Sequence, residues 1–339
     1  MGSENKYLRA GVLVICGALL LRLVSSGAVA SFVTKPEVIT TLLLLETGRY
    51  VPAVEERIPE TDPVQTAPTE PTTVPTEPIA VPKPVTAASF SPSDAKLVTV
   101  NNVCGYGVDL QAMLEKPLSW DLTEGGPAVL IVHTHGTESY EKTEDYEESS
   151  AYRTRDNAYN MISIGDRIAQ VLEAGGVEVL HDRTAHDHPS YNGAYSSSRK
   201  SVKAYLEQYP SIRMVLDIHR DSVTRSDGTQ ASYALSVDGK QTAKLMMVVG
   251  TDANGNAHPN WQENMALAVK LHAQLEKMAP GSCRTISFRK QRFNQDLSAG
   301  AMLIEVGAAG NTHEEALAGA ELAARGILAL AKGVRQEVY

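Results

Sequence analysis

Residues 128–138, Ala-Val-Leu-Ile-Val-His-Thr-His-Gly-Thr-Glu, decide how this 339-residue chain is expected to fold. Five consecutive apolar residues are typical of a strand that is buried on both faces of a sheet. His133, His135 and Glu138 follow that strand directly. Open α/β proteins place functional groups at the carboxyl edge of the sheet, and these side chains are common zinc ligands. The stretch therefore predicts part of a metal site at this edge.

Residues 214–221, Met-Val-Leu-Asp-Ile-His-Arg-Asp, repeat the pattern, because a second apolar strand leads into His219. A hydrolytic zinc ion needs about three protein ligands and an open position for water. We predict that His135, Glu138 and His219 are those ligands. His135 is preferred to His133 because we expect the strand to break at the following glycine, which leaves His135 in the loop. For any one histidine, a hydrogen-bonded structural role is the alternative.

Glu305 interrupts an otherwise apolar strand, residues 303–307, Leu-Ile-Glu-Val-Gly. A buried carboxylate is costly unless it is paired, lies near a metal or is functional. We predict that Glu305 takes a proton from zinc-bound water and delivers it to the leaving amine. The alternative is a structural ion pair with Arg220 or Arg292.

Short apolar runs alternate with amphipathic segments from about residue 96 to the end of the chain. The predicted strands are residues 128–132, 177–180, 213–218, 245–249 and 302–306, and the predicted helices are residues 158–172, 197–208, 260–277 and 312–332. This alternation predicts an α/β fold with a mainly parallel, twisted sheet flanked by helices. Residues 233–249, with a turn at Asp238-Gly239, predict an inserted hairpin and an antiparallel edge to the sheet.

The N-terminal region reads as a membrane anchor, because Lys6 and Arg9 precede an apolar stretch over residues 10–33. We divide the chain into a cytoplasmic stub and transmembrane anchor (1–35), a Pro/Thr-rich extracytoplasmic linker (36–93) and a catalytic domain (94–339). Ten of the 17 prolines lie between residues 52 and 92, which suits a semi-rigid spacer. The expected location is the cell membrane, single-pass, with the catalytic domain outside. Cleavage as a signal peptide is the alternative.

The net charge bears on whether the protein binds nucleic acid, and the cysteines bear on whether it forms a disulfide. A net charge of -9 without a basic stripe argues against binding to nucleic acid. Cys104 and Cys283 either form one disulfide or remain free thiols, and their spacing does not decide between the two. Three histidines in residues 181–188, His-Asp-Arg-Thr-Ala-His-Asp-His, are a weaker metal candidate, and we expect that segment to shape the rim of the site.

Several motifs, in this order, resemble those of the stage II sporulation protein P family, over about residues 101–332. They are residues 133–140 (His-Thr-His-Gly-Thr-Glu-Ser-Tyr), 217–222 (Asp-Ile-His-Arg-Asp-Ser), 250–251 (Gly-Thr), 258–261 (His-Pro-Asn-Trp), 263–264 (Glu-Asn), 293–295 (Phe-Asn-Gln), 304–307 (Ile-Glu-Val-Gly) and 311–312 (Asn-Thr). The resemblance implies a relation to zinc-dependent N-acetylmuramoyl-L-alanine amidases. It implies degradation of peptidoglycan, as amidase and endopeptidase, during engulfment in sporulation.

The resemblance also implies roles for individual residues. His135 and His219 look like the two zinc histidines of the amidases, and Glu305 looks like their catalytic glutamate. Those amidases take a middle ligand, a glutamate, from the start of the first helix, but residues 152–157 contain no glutamate. Glu138 is therefore the preferred middle ligand, and Asp156 is the alternative.

Arg220 and Asn294 are predicted substrate contacts, because guanidinium and amide groups suit the carboxylates and amides of a stem peptide. A supporting role behind the site is the alternative for both.

The resemblance implies partners besides peptidoglycan, namely a sporulation lytic transglycosylase and a membrane protein that localises the pair. Two competing functions stay open. One is a catalytically inactive wall-binding or scaffold protein, and the other is a metallopeptidase that acts on another exported amide.

Overall fold

A computed structural model of the chain describes residues 85–118, 120–142 and 152–332. Across these ranges, no helix is both long enough and apolar enough to cross a membrane. The anchor predicted at residues 1–35, and the linker as far as residue 84, lie outside the described residues. The remainder of the linker leads into a short 3₁₀ helix, Pro92–Leu97.

The described elements alternate between strands and helices, as the sequence predicts. The strands are β1 (Val100–Asn102), β2 (Val129–Val132), β3 (Val179–His181), β4 (Met214–Asp221), β5 (Ala234–Val237), β6 (Lys240–Ala243), β7 (Leu245–Val249), β8 (Ile286–Phe288) and β9 (Ala301–Ala308). The α-helices are α1 (Leu110–Glu115), α2 (Met161–Ala174), α3 (Ala194–Gln208), α4 (Trp261–Met278) and α5 (His313–Ala329). Two further 3₁₀ helices span Tyr191–Gly193 and Gln295–Leu297.

The central sheet has seven strands in the order β1-β8-β7-β9-β4-β2-β3. All neighbours are parallel except β7 and β9, which are antiparallel. The prediction of a mainly parallel sheet flanked by helices is therefore confirmed. The hairpin also forms, as β5 and β6, but it makes a separate two-stranded sheet. The prediction of an antiparallel edge is wrong, because the antiparallel pair, β7 and β9, lies inside the sheet.

Two strand ends differ from the prediction. β2 ends at Val132, before the expected break at Gly136. β4 continues through His219 to Asp221, because β9 keeps pairing with it, with an irregularity in register between His219 and Asp221. His219 therefore lies within a strand, whose pairing restrains its backbone more than a loop would.

Alternation along β4 sends neighbouring side chains to opposite faces of the sheet. Leu216 and Ile218 belong to the larger hydrophobic cluster, which also includes residues of α2, α4 and α5. Val215 belongs to a smaller cluster that includes Val202 of α3. Asp217 and His219 follow the same alternation as Val215, so they lie on the face that α3 covers.

Helix α2 shows how local sequence fixes the elements that frame the site. The side chain of Asn160 accepts a hydrogen bond from the backbone N–H of Ile162, which caps the helix start. The helix closes at Gly175, and Gly176 follows with a φ of 83°, a conformation that glycine adopts at little cost.

Both cysteines of the described region are free thiols. Cys104 follows the end of β1, whereas Cys283 precedes the start of β8, and these two strands are parallel neighbours. The two cysteines therefore lie toward opposite ends of the same strand pair. Of the two alternatives from the sequence, free thiols are the one observed.

Candidate active site

His135 and His219 converge at the carboxyl edge of the sheet. Their ring centroids lie 5.4 Å apart and the rings are nearly perpendicular, at 83°. Both residues are buried. They reach this position by different routes, because His135 lies in the loop after β2 and His219 lies within the adjacent strand β4. The predicted convergence of two histidines from two strands is therefore observed.

Glu138 completes this cluster from the same loop. Its Oε2 atom lies 3.6 Å from Nδ1 of His219, and its Oε1 atom lies 3.8 Å from Arg220 and 3.5 Å from Arg153. Burial opposes ionisation of Glu138, but Arg220 and His219 bring its pKa down to about 2. The carboxylate is therefore charged at neutral pH, as a metal ligand must be.

Asp217 lies on the other side of His219, with Oδ1 2.9 Å from its Nε2 atom. Burial alone would lower the pKa of His219, but the carboxylates of Asp217 and Glu138 raise it well above its usual value. A carboxylate beside a histidine that binds metal commonly fixes the ring orientation. Asp217 is placed to do this for His219.

Asp217 is itself held by a chain of hydrogen-bonded side chains, most of them buried. It accepts hydrogen bonds from Thr134, at 2.8 Å from the backbone N and 2.6 Å from Oγ1. The Oγ1 atom of Thr134 lies 2.8 Å from Oγ of Ser198 in α3. Asn294 donates to that same Ser198 hydroxyl at 3.1 Å. This chain, from Asn294 through Ser198 and Thr134 to Asp217, ends beside His219, and we call it the Asn294 chain.

Glu305 lies next to His219 as its register partner on β9. Its Oε2 atom is buried without a hydrogen-bond partner. Burial raises the pKa of Glu305 to about 8, although nearby His219 acts in the opposite direction. The structural alternative is not observed within the described ranges, where Arg220 lies against Glu138 and Arg292 pairs with Asp296. A carboxyl group with this pKa suits proton transfer near neutral pH.

The two predicted substrate contacts are held by protein groups. Arg220 is buried and donates to the backbone carbonyls of Ser139 (2.8 Å) and Tyr152 (2.9 Å), so it braces the loop that carries Glu138. Asn294 bonds to α3, both through the Asn294 chain and through the carbonyl of Tyr195 at 2.9 Å. These contacts favour the supporting role for both side chains, and direct contact with substrate stays a prediction.

The other candidate metal ligands from the sequence, Asp156 and His133, have contacts outside this cluster. Asp156, the alternative middle ligand, is exposed and accepts a hydrogen bond from the backbone of Ala158. His133 is fully buried, with Nε2 2.8 Å from Nε2 of His181. Burial lowers the pKa of His133 to about 3, and His181 adds to this effect. The choice of His135 over His133, and of Glu138 over Asp156, as metal ligands stays a prediction.

The histidines of residues 181–188 have separate partners. His181 lies 3.0 Å from Asp166, and His186 lies 3.1 Å from Asp182. His186 also lies 2.9 Å from the hydroxyl of Ser197 in α3. The segment therefore supports the start of α3 beside the site, and among the described residues its histidines do not gather into a metal-binding group.

Aromatic residues around His135 were missed at the sequence level. Tyr191 stacks on the His135 ring at 4.3 Å and 17°, and the guanidinium of Arg153 lies 4.3 Å from the centre of the Tyr191 ring. Tyr195 meets His135 edge-on at 5.6 Å. Burial and the nearby carboxylates Asp217 and Glu305 raise the pKa of Tyr195 far above its usual value, so its hydroxyl remains a hydrogen-bond donor.

The cluster fits a zinc ion in its chemistry. Nδ1 of His135 and Oε2 of Glu305 are buried atoms without hydrogen-bond partners, which a nearby cation and its water would satisfy. Two imidazoles and one carboxylate are a common ligand set for hydrolytic zinc. The three donor atoms do not all lie within 4.8 Å of one another in this structure. Binding would therefore require a movement of the loop, or a change of side-chain rotamer, that brings the three donor atoms closer together.

Comparisons with known proteins agree with the motifs. The curated Stage II sporulation protein P of Bacillus subtilis (strain 168) is 31% identical over an alignment of 207 residues, which covers 58% of this chain and 49% of that protein. The chain thus matches about half the length of this relative.

Solved structures give weaker likenesses. The N-acetylmuramoyl-L-alanine amidase AmiC2 of Nostoc punctiforme matches 60% of this chain and 97% of its own, at 19% identity and a TM-score of 0.36. The CwlD amidase from Clostridioides difficile, solved in complex with the GerS lipoprotein, matches 59% and 96%, at 13% identity and a TM-score of 0.39. Because these scores are low, the assignment rests on the sequence. The family model described as Stage II sporulation protein P (SpoIIP) matches residues 52–328, and the chain belongs to that family.

Proposed function

We propose that this protein is a zinc-dependent peptidoglycan hydrolase that cleaves the amide between N-acetylmuramic acid and L-alanine during engulfment in sporulation. The observation that supports it best is the buried, unpartnered Oε2 atom of Glu305 beside His219, with His135 and Glu138 in the same cluster. Membership of the sporulation family supports the biological setting. Cleavage of peptide cross-links is a second activity that the family resemblance implies.

His135, Glu138 and His219 would hold the zinc ion in this proposal. When bound, zinc polarises the scissile carbonyl and lowers the pKa of water. Glu305 takes a proton from the attacking water and passes it to the nitrogen of the leaving L-alanine. Arg220 keeps Glu138 in place, because its guanidinium donates hydrogen bonds to the backbone carbonyls of Ser139 and Tyr152. Asp217 keeps the ring of His219 in one orientation.

The proposed setting follows from the N-terminal sequence. Residues 1–35 would anchor the protein in the cell membrane, and the Pro/Thr-rich linker would carry the catalytic domain to the wall outside it. The proposed partners are a sporulation lytic transglycosylase and a membrane localisation protein. A transglycosylase would complement an amidase chemically, because it acts on the glycan strand from which the amidase has released the peptides.

Zinc analysis and wall digestion of the purified protein test this function together. We expect about one zinc ion in the His135 and His219 site, and release of free stem peptides from peptidoglycan that a chelator stops. His135→Ala and His219→Ala should each lose that zinc ion and the cleavage. Cleavage that persists in these folded variants and in chelator would reject the zinc mechanism.

The two competing functions give different results in the same assay. A wall-binding scaffold would sediment with peptidoglycan but release no peptides. A metallopeptidase with another substrate would hold zinc but leave the muramoyl amide intact, and mass analysis of the digested wall would show this. Release of stem peptides with intact glycan strands is the product pattern that identifies the amidase.

A further inference from the structure

A second cluster of metal-ligating side chains lies away from the candidate active site. His272 and Glu276 are one helical turn apart near the end of α4, and Cys283 lies in the turn between α4 and β8. One ligand atom from each of the three side chains lies within 4.8 Å of the others, and among the described residues this is the only group of three that meets this distance. From this geometry we propose that His272, Glu276 and Cys283 bind a second divalent transition-metal ion of the class of Zn²⁺.

Among the three side chains, His272 has a buried ring nitrogen without a hydrogen-bond partner. His272 is 2% exposed, and its Nδ1 atom has no hydrogen-bond partner. The backbone of Leu97 also lies within hydrogen-bonding reach of the His272 ring. Histidines that bind metal commonly donate one ring N–H to a carbonyl and present the other nitrogen to the ion. A buried ring nitrogen without a partner is otherwise costly.

Glu276 fixes the turn that carries the cysteine. Its Oε2 atom accepts a hydrogen bond from the backbone of Gly281 at 2.8 Å, and its Oε1 atom accepts one from the backbone of Cys283 at 2.7 Å. Each carboxylate oxygen keeps another lone pair for an ion. The residues on both sides of Cys283 are bonded to β7, because Leu245 bonds to Ser282 at 2.9 Å and to Arg284 at 2.7 Å. The backbone around the three ligands is therefore fixed before any ion binds.

The ligand chemistry indicates the class of metal. One thiolate, one imidazole and one carboxylate suit Zn²⁺ and similar divalent transition metals, and they do not suit Ca²⁺ or Mg²⁺. The thiol of Cys283 loses its proton when it binds the ion, and solvent takes up that proton. Without a metal, burial raises the pKa of this thiol above its usual value, so it stays protonated. The ion would join the end of α4 to the starts of β7 and β8.

Cobalt substitution tests this site independently of the proposed amidase activity. Co²⁺ bound to a thiolate gives a near-ultraviolet charge-transfer absorption that a site of histidines and carboxylates lacks. We would use the full chain with Cys16→Ser and Cys104→Ser, so that Cys283 is the only thiol, and titrate it with Co²⁺. We expect the thiolate absorption to appear with about one equivalent of bound ion. Co²⁺ binding without this absorption, or no binding at all, would overturn the proposal.

Two variants show which residues give rise to the thiolate absorption. Cys283→Ser in this background should lose the absorption and one bound ion, and Zn²⁺ should then raise its Tm less than it raises the Tm of the parent. The matched control, His219→Ala, removes a ligand of the predicted active site and should leave the thiolate absorption unchanged. If the absorption is present but no stem peptides are released, the second site stands and the amidase proposal fails. Loss of the absorption in His219→Ala would reject a separate site.

Discussion

Glu305 and His219 are register partners on the parallel strands β9 and β4, so the sheet itself sets the distance between the proposed proton carrier and a proposed zinc ligand. Side chains of such partners lie on the same face, about 4.8 Å apart across the ladder. Neither depends on a loop for its position. Strand pairing therefore sets the positions of these two groups, whereas His135 and Glu138 are positioned by the loop after β2.

Glu305→Gln should keep its zinc and lose most of its turnover. Glutamine has nearly the same shape but cannot carry the proton, and such a loss is commonly about 10²- to 10⁴-fold in rate. The measurement is stem-peptide release together with metal content. A variant as active as the parent would show that another group moves the proton.

Asp217→Asn should weaken zinc binding by about 10- to 100-fold, because the amide cannot stabilise His219 as the carboxylate does. Competition with a chelating dye measures the affinity. Asp182→Asn is the matched control, since Asp182 is also buried but lies outside the Asn294 chain. Equal zinc affinity in the two variants would contradict the orienting role of Asp217.

Asn294→Ala and Asn294→Gly separate the effect of the backbone conformation at Asn294 from the effect of losing its side chain. Asn294 has a φ of 58°, which glycine tolerates and alanine does not. Both variants break the Asn294 chain, so both should bind zinc less tightly. Asn294→Ala should in addition be less stable than Asn294→Gly by about 1 kcal/mol. Chemical denaturation of the pair measures this difference, and equal midpoints would argue against backbone strain at this position.

Gly165→Ala should destabilise the fold by about 1–3 kcal/mol through overpacking. An added Cβ would lie 2.6 Å from Nε2 of His133 and 2.6 Å from Nε2 of His181. This cost opposes the gain of about 1 kcal/mol that alanine brings to a helix. Gly193→Ala is the control, because its nearest neighbour would be the Ser190 hydroxyl at 3.8 Å. A Gly165→Ala protein as stable as this control would show that the two histidines can separate freely.

Asp182 should make the free energy of unfolding depend on pH in the acid range. Burial acts to raise its pKa, but hydrogen bonds from His186 and Thr184 bring the pKa down to about 2. Since the folded pKa lies below the unfolded value of about 3.9, the contribution is complete above pH 4 and is lost as the pH falls toward 2. Near pH 5, Asp182→Asn should cost roughly 2 kcal/mol. Urea denaturation should show the gap between parent and variant shrinking as the pH falls, and a constant gap would contradict this pKa.

Long periodic elements were predictable from the sequence. The apolar run at residues 245–249 gives β7 with the predicted bounds, and α4 differs from its prediction by one residue at each end. β1, β8 and α1 were missed, because three strand residues or six helix residues are too few to show a period. The antiparallel element was predicted from residues 233–249 but placed at the edge of the sheet, whereas β7 lies inside it. A strand's place in the sheet depends on its partners, and the local pattern does not reveal it.

The candidate site was predictable where side chains follow or interrupt apolar strands. His135, Glu138, His219 and Glu305 stand out by this rule, and the structure brings them together. Residues supplied by α3 were not predictable. Tyr195 and Ser198 sit in an ordinary amphipathic helix, and only tertiary packing shows that they reach the site.

The place of β9 in the sheet order makes the fold depend on the last part of the described chain. β9 is the last strand in the chain, yet it lies between β7 and β4 and joins the two parallel groups of strands. A chain still being synthesised, or truncated before residue 301, has His135, Glu138 and His219 but lacks the strand that joins the two groups. Because Glu305 lies on that same strand, the step that completes the fold also delivers the proposed proton carrier. Under the proposed mechanism, a chain truncated before residue 301 is therefore inactive.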